Sequence, residues 1–203
     1  MKQMRKERSK LILVLGGAAS GKSQAALDLA RGLASQQAAP VPVRRGQTPR
    51  ADAGKGVSPR CAFVATGQAL DREMKERIER HQSTRSSDWE TAEVPVDLVR
   101  WFKNNNKEYQ SIVLDCLTLW LSNLRGRHLR DLAIFEATTD LLRAIRTTKA
   151  RVVIVSNELG LGIVPATKAV RAFRDLAGKI NQQVAAEADE VYLTISGLPL
   201  RVK

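Results

Sequence analysis

Three consecutive segments near the start of the chain, an apolar strand, a glycine-rich turn and a helix, leave few folds open to it. Residues 11–15 read LILVL, a continuous apolar run typical of a parallel strand that is buried on both faces. Residues 16–23 read GGAASGKS and match the pattern G-x-x-x-x-G-K-[ST]. Apolar side chains at helical spacing then predict a helix of about four turns that begins near Gly21: Ala25, Ala26, Leu29 and Leu33.

The residue types in the glycine-rich segment suit a nucleoside triphosphate. Glycines let the backbone turn tightly so that its N–H groups face a phosphate, and the helix N-terminus adds partial positive charge. Lys22 would reach the β- and γ-phosphates, and the Ser23 hydroxyl would coordinate Mg²⁺. The predicted nucleotide contacts are therefore Gly16, Gly17, Ala18, Ala19, Ser20, Gly21, Lys22 and Ser23. The loop alone does not fix the reaction, because ATPases, GTPases and small-molecule kinases share it.

The remaining patterns predict an α/β fold with a mostly parallel sheet and helices on both sides. Four further strands are expected at residues 61–66, 111–115, 151–155 and 190–195. Helices are expected over 71–81, from Pro95 through Phe102, over 129–148 and along an apolar face from Val170 to Val184. A turn over 196–199 would let residues 200–202 pair back as a C-terminal antiparallel hairpin.

The sequence alone leaves the roles of two polar residues undecided. Asp115 ends a predicted strand, where it is a candidate second ligand for Mg²⁺, and the alternative is a cap for a helix that begins at Leu117. His81 ends a charged helical segment and, on the residues alone, is typical of a solvated helix C-terminus.

Charge and length bound the domain organisation. The 203 residues suit a single domain over 1–203, and the net charge of +12 is concentrated in a basic tail at 1–10 and a basic insertion at 35–60 that we expect to be flexible. No aromatic residue lies among those charges to stack on bases, so we expect no specific nucleic-acid partner. Because the longest apolar run has only five residues, we expect no transmembrane segment and a cytoplasmic location.

Four further blocks carry a more specific signal than the glycine-rich loop. They read AFVATGQALDREMKERIERHQ at 62–82, DWETAE at 88–93, VSNELGLGIVP at 155–165 and RAFRDLAGKINQQVAAEADEVYLTISGLPLRVK at 171–203. With the loop, they span nearly the whole chain outside 1–10 and 35–60. Together they resemble the bifunctional adenosylcobinamide kinase / adenosylcobinamide-phosphate guanylyltransferase family of cobalamin biosynthesis.

The resemblance implies two reactions. A nucleoside triphosphate phosphorylates the hydroxyl of adenosylcobinamide, and a histidine then takes GMP from GTP and passes it to adenosylcobinamide phosphate, giving adenosylcobinamide-GDP. It also implies a P-loop NTPase-like (RecA-like) fold, ATP and GTP as substrates with Mg²⁺, a corrinoid acceptor, and a homotrimer with sites between neighbouring subunits.

By the same resemblance, the guanylyl carrier is His81, which acts with Lys22 as a catalytic residue. Further nucleotide contacts carried over from the family are Thr66, Gly67, Gln68, Gln82, Ser83, Thr84, Arg85, Glu93 and Asp115. Two alternatives remain open at this stage. One is a phosphate-loop kinase of another small metabolite without a covalent intermediate, and the other is a nucleotide-dependent binding protein whose basic insertion engages a polyanion.

Overall fold

The computed structural model describes residues 9–32, 60–69, 71–73, 76, 88–105 and 107–203. Its strands are β1 (Leu11–Gly16), β2 (Cys61–Ala65), β3 (Trp89–Glu93), β4 (Ser111–Asp115), β5 (Arg151–Asn157), β6 (Glu190–Ile195) and β7 (Leu198–Arg201). Its helices are α1 (Lys22–Ala30), α2 (Leu98–Asn104), α3 (Leu117–Gly126), α4 (Asp131–Thr147) and α5 (Lys168–Glu187).

The seven strands form one sheet in the order β3-β2-β4-β5-β1-β6-β7. Strands β1 to β6 are paired in parallel, and only the β6–β7 pair is antiparallel. The predicted α/β class, the mostly parallel sheet and the C-terminal hairpin are therefore confirmed. Strand β1 lies between β5 and β6, so the residues that follow it occupy an interior position on the sheet's carboxyl edge.

Side-chain alternation along β1 divides the core into two layers. Leu11 and Leu13 point to the layer built with α2, α3, α4 and α5, whereas Ile12 and Val14 point to the layer built with α1. All four side chains are almost completely buried. Burial on both faces explains why the strand reads as an uninterrupted apolar run, and it fixes the glycine-rich loop on a rigid base.

Several boundaries differ from the predictions. Helix α1 is shorter than four turns, because Gly32 adopts a left-handed φ of 77° just after its C-cap. Strand β5 runs two residues further than expected, to Asn157. The sequence indicates helix α3, Leu117–Gly126, only through the alternative role of Asp115, which is to cap a helix that begins at Leu117. The hairpin turn comprises only Ser196 and Gly197, with φ of 50° and 84°, and Pro199 lies inside β7, where an edge strand tolerates a missing N–H.

Other predictions fall on residues outside the described part. These are the basic tail over residues 1–8, the insertion up to residue 59 and most of the charged helix at 71–81. No helix in the described part of the chain is both long and apolar enough to cross a bilayer.

Candidate functional site

The GGAASGKS segment leaves the carboxyl end of β1 and enters α1, as its pattern predicts. Its first residue, Gly16, still belongs to the sheet, where it is level with Asn157 of β5 and Thr194 of β6. A methyl group on Gly16 would lie 2.9 Å from the Thr194 carbonyl oxygen of β6, so only glycine fits at this position beside β6. The place of Gly16 in the sheet therefore fixes the position at which the phosphate-binding loop begins.

A contact with the C-terminal hairpin supports the far side of the loop. The Gly197 N–H donates a 2.8 Å hydrogen bond to the Ser20 carbonyl oxygen. Gly21, the N-cap of α1, has a φ of 88°, and a methyl group there would lie 2.9 Å from the Gly197 Cα atom. Sequence reasoning identified the hairpin but did not connect it with the loop, since nothing local to residues 196–197 indicates a partner 177 positions away.

Lys22 lies at the start of α1 and folds back over the loop. Its ammonium group donates a 2.9 Å hydrogen bond to the Gly17 carbonyl oxygen. The loop backbone is largely exposed from Gly17 to Ala19. A cation at an exposed glycine-rich turn that leads into a helix N-terminus is the arrangement that binds a polyphosphate.

The predicted Mg²⁺ ligands come together across the sheet edge. The Ser23 hydroxyl donates a 2.7 Å hydrogen bond to Asp115 Oδ2, although 92 positions separate the two residues. A hydroxyl and a carboxylate are hard oxygen donors of the kind that Mg²⁺ takes, usually with phosphate and water oxygens completing the shell. In the described part of the chain no group of three or more His, Cys, Asp or Glu could hold a metal ion, so this pair fits a nucleotide-bound Mg²⁺ and not a site made of protein ligands alone.

The carboxyl ends of three neighbouring strands align beside this pair. In the sheet register, Ala65 of β2 is level with both Asp115 of β4 and Glu93 of β3. Glu93 is exposed at that edge. Gly67 and Gln68 follow β2 and are partly exposed. These predicted contacts therefore share one edge of the sheet with the phosphate-binding loop.

Thr66 lies at the same edge but is fully buried. Its hydroxyl donates to the Cys116 carbonyl oxygen at 2.7 Å and accepts the Cys116 N–H at 2.9 Å. Its own N–H donates to the Asp115 carbonyl oxygen. Through these hydrogen bonds Thr66 holds in place the segment that carries the Asp115 carboxylate.

The thiol beside that carboxylate is not poised for nucleophilic chemistry. Burial, reinforced by the negative charge of Asp115, raises the pKa of Cys116 to about 12. Only a thiolate is strongly nucleophilic. Cys116 therefore remains a packed, protonated side chain at physiological pH.

The predicted nucleophile and its neighbours lie outside the described residues: His81, Gln82, Ser83, Thr84 and Arg85. Their roles remain predictions that rest on the resemblance. The described site accordingly consists of the phosphate-binding loop, Asp115 and the ends of β2 and β3.

Comparison with known proteins adds a family match over most of the chain. The model of the family described as cobinamide kinase / cobinamide phosphate guanyltransferase matches residues 42–202, which begin after the phosphate-binding loop. The bifunctional adenosylcobalamin biosynthesis protein CobU of Salmonella typhimurium is 35% identical over 205 residues, covering 95% of this chain and 99% of its own length. CobU of Escherichia coli is 34% identical with the same coverage. CobP of Pseudomonas aeruginosa is 34% identical over 94% of this chain and 96% of its own length.

Similarity to solved structures is weaker. The flagellar accessory protein FlaH of Methanocaldococcus jannaschii superposes with a TM-score of 0.48 at 12% identity, over 97% of this chain and 79% of its own. The RadB recombinase gives a TM-score of 0.48 at 15% identity, over 92% of this chain and 74% of its own.

Proposed function

Because the chain belongs to the cobinamide kinase / cobinamide phosphate guanyltransferase family, we propose that it phosphorylates adenosylcobinamide with a nucleoside triphosphate and then transfers GMP to the product. The observation that carries the kinase half is the contact between the Ser23 hydroxyl and the Asp115 carboxylate, next to Lys22 on the phosphate-binding loop. These three groups supply a cation-binding pair and a positive charge at one edge of the sheet. Phosphoryl transfer needs little more than such positioning and charge neutralisation.

In the kinase step, the loop N–H groups and the α1 N-terminus would hold the triphosphate, while Lys22 exchanges its bond to the Gly17 carbonyl for the β- and γ-phosphates. Ser23 and Asp115 would hold Mg²⁺, which neutralises charge on the phosphate oxygens. The acceptor hydroxyl forms the new bond to the γ-phosphorus as the bond to the nucleoside diphosphate breaks. The hydroxyl proton leaves at the same stage, to solvent water or to a carboxylate beside the acceptor.

A groove beside the loop is the place we assign to the acceptor. It has a volume of about 530 Å³ and lies between α5 and the ends of β1 and β5, with Leu15 at its base. Glu158, Lys179 and Gln182 line it together with Arg174. The Glu158 N–H donates to the Gly16 carbonyl oxygen, so its carboxylate belongs to the rim next to the loop, where it would orient the hydroxyl.

In the guanylyl-transfer step, we assign the nucleophile to His81. A neutral imidazole nitrogen forms a bond to the α-phosphorus of GTP as the bond to pyrophosphate breaks, and the ring then loses its other N–H proton. The ordinary histidine pKa near 6.5 makes the neutral form plentiful at pH 7 to 8. Arg85 would stabilise charge on the transferring group, and Glu93 would accept hydrogen bonds from a guanine edge or a ribose.

We further propose that the chain forms the homotrimer expected of the family. The C-terminal hairpin supports this, because it exposes a row of large apolar side chains: Ile195, Leu198, Leu200 and Val202. Clustered exposed apolar residues of this kind are typical of an interface. Light scattering at several concentrations tests the assignment, and a monomer at every concentration would contradict it.

The decisive experiment separates the two reactions by the position of a radioactive label. The protein is incubated with Mg²⁺ and GTP labelled at either the α- or the γ-phosphate, then denatured and examined for label on the chain. We expect attachment of the α-label only, lost in acid and stable in base, as a phosphoramidate would be. In parallel, adenosylcobinamide with γ-labelled nucleotide should yield a labelled corrinoid phosphate.

Matched variants make the result specific. His81→Asn should abolish attachment of the α-label while leaving the kinase step, whereas His128→Asn, at the only other histidine, should behave as the wild type. His128 is exposed and has a φ of 62°, which asparagine tolerates. Lys22→Ala should impair both reactions. Undiminished α-labelling of His81→Asn would refute the assigned nucleophile, and a wild-type chain that never phosphorylates the corrinoid would refute the kinase.

A further inference from the structure

Three buried polar side chains and one peptide segment form a closed ring of hydrogen bonds beneath the loop. The side chains belong to Thr118 of α3, Ser156 of β5 and Asn181 of α5, and the peptide groups are the N–H and C=O of Asn157. The three side chains are 6%, 0% and 4% exposed, respectively. We call this set the Asn157 ring.

Each group of the Asn157 ring donates a hydrogen bond to the next group, in the same direction around the ring. The Asn157 N–H donates to Thr118 Oγ1 at 2.8 Å, and the Ser156 hydroxyl donates to Asn181 Oδ1 at 2.7 Å. Asn181 Nδ2 donates to the Asn157 carbonyl oxygen at 3.1 Å. Because the Ser156 proton is already committed, the 3.2 Å contact between Thr118 and Ser156 has the Thr118 hydroxyl as its donor.

The ring takes the place of a missing strand neighbour. On the β4 side, the register pairs Asp115 with Val155, and β4 ends there. Strand β5 continues for two residues, and the backbone groups of Asn157 face the side that β4 has left. The peptide groups of Asn157 are half-buried, and peptide groups shielded from water need partners. The ring supplies both partners from helices instead of a strand.

The segment held in this way is the one next to the phosphate-binding loop. On the opposite side of β5, Asn157 is level with Gly16, and the following N–H, that of Glu158, donates a 3.0 Å bond to the Gly16 carbonyl oxygen. Glu158 Oε1 accepts the Gly160 N–H at 2.8 Å, which fixes the carboxylate at the rim of the groove. A shift at Asn157 therefore moves both the base of the loop and the Glu158 carboxylate.

We propose that Thr118, Ser156 and Asn181 are positioning residues, and that the Asn157 ring aligns the start of the phosphate-binding loop with the Glu158 rim for phosphoryl transfer. Thr118 and Ser156 do not line the acceptor groove, whereas Asn181 does, so the test of positioning is placed at Thr118. A fully satisfied buried network is rigid and directional, whereas apolar packing at the same place would tolerate small displacements. Small displacements matter here, because an error of about 1 Å in the geometry of a reacting pair can cost about 100-fold in rate.

Substitutions at Thr118 give the sharpest kinetic test, which rests on the proposed kinase function. Thr118→Val keeps the shape but removes the acceptor for the Asn157 N–H, and Thr118→Ser retains the hydroxyl. Thr138→Val is the matched control, because Thr138 is a buried helical threonine like Thr118 and its hydroxyl donates to the Ile134 carbonyl of its own helix. Each variant is assayed at the same interval below its own Tm, so that a general loss of stability is compensated.

We expect Thr118→Val to lower kcat of adenosylcobinamide phosphorylation at least about tenfold, while KM for the nucleotide stays within about twofold. The loop's own phosphate contacts and its bond to Gly197 remain, which is why binding should persist. Thr118→Ser should restore most of kcat, and Thr138→Val should match the wild type. Ser156→Ala, which removes only the central hydroxyl, should lower kcat in the same direction. Equal losses in Thr118→Val and Thr138→Val would overturn the proposal.

Amide hydrogen exchange supplies a readout that needs no corrinoid turnover. In Thr118→Val the Gly160 amide should exchange at least about tenfold faster than in the wild type, since the Glu158 carboxylate that holds it has lost its support. Thr118→Ser and Thr138→Val should retain the wild-type rate. Unchanged exchange at Gly160 in Thr118→Val would refute the ring as a positioning device. A wild type without kinase activity would instead refute the proposed function, and the exchange comparison would still decide the role of the ring.

Discussion

Replacement of Gly21 by alanine tests the contact between the phosphate-binding loop and the C-terminal hairpin. Gly21 has a φ of 88°, a conformation that glycine adopts without strain and alanine does not. Its missing side chain faces Gly197, whose Cα would lie only 2.9 Å from a new methyl group. The atom in the way belongs to backbone, so a side-chain rotation cannot relieve the contact.

The structure allows the size of the effect to be worked out. The left-handed conformation costs an alanine about 1–2 kcal/mol. Displacement of Gly197 also weakens its 2.8 Å hydrogen bond to the Ser20 carbonyl oxygen, which is worth about 1 kcal/mol. The free energy of unfolding should therefore fall by about 2–3 kcal/mol. For a chain of this size, that corresponds to a decrease in Tm of roughly 4–12 °C.

Thermal unfolding followed by circular dichroism measures this decrease, and Gly17→Ala is its control. Gly17 belongs to the same loop, but a methyl group there meets nothing within 4 Å. Its Tm should stay within about 2 °C of the wild type, as for a surface substitution. If the two variants unfold at the same temperature, the reasoning from the Gly197 contact is wrong.

Three further outcomes follow from particular side chains. Asp115→Asn keeps the shape but removes the charge opposite Ser23, so kcat should fall about 100-fold or more with a nearly unchanged Tm; full activity at ordinary Mg²⁺ concentrations would contradict its role. Burial by itself would raise the pKa of Glu190. The hydrogen bond and the charge of Lys10, together with Tyr192 and Arg201, have the larger effect, so the pKa is lowered. Urea titrations should thus show Glu190→Gln about 0.5–1 kcal/mol less stable than the wild type above the ordinary glutamate pKa, with the difference vanishing as the pH falls through the lowered native value. Burial raises the pKa of Cys116 to about 12 and also raises the pKa of Cys61. Native protein treated with iodoacetamide at pH 8 should therefore be modified slowly at the partly exposed Cys61 and not at Cys116, as mass spectrometry would show.

Local patterns were sufficient for most of the fold. The strand at residues 111–115 was predicted to the residue, because a strand covered on both faces reads as an apolar run. The strand at 190–195 was also predicted to the residue, although it is only partly buried. The ends of elements were less predictable. Strand β5 continues to Asn157 beside β1, and the Asn157 ring replaces β4 on its other side. No pattern within 151–157 indicates partners on α3 and α5.

The same division applies to the candidate site. The loop at 16–23 and the candidate carboxylate Asp115 were found from the sequence, since each is recognisable beside its own strand. Their contact at 2.7 Å depends on the order of strands in the sheet, which the sequence pattern does not contain. The assignment of His81 depends throughout on family resemblance.

The amino-acid sequence by itself determined the alternation of strands and helices, the phosphate-binding loop and the family, because these follow from periodicity and from the chemistry of neighbouring residues. Only the tertiary structure decided that β1 lies between β5 and β6, and hence that the loop is fastened to Gly197 on one side and to Glu158 on the other. Such contacts join residues far apart in the chain. Whether these contacts form depends on which strands become neighbours. The order of the strands is determined by the packing of the whole core and not by any one segment.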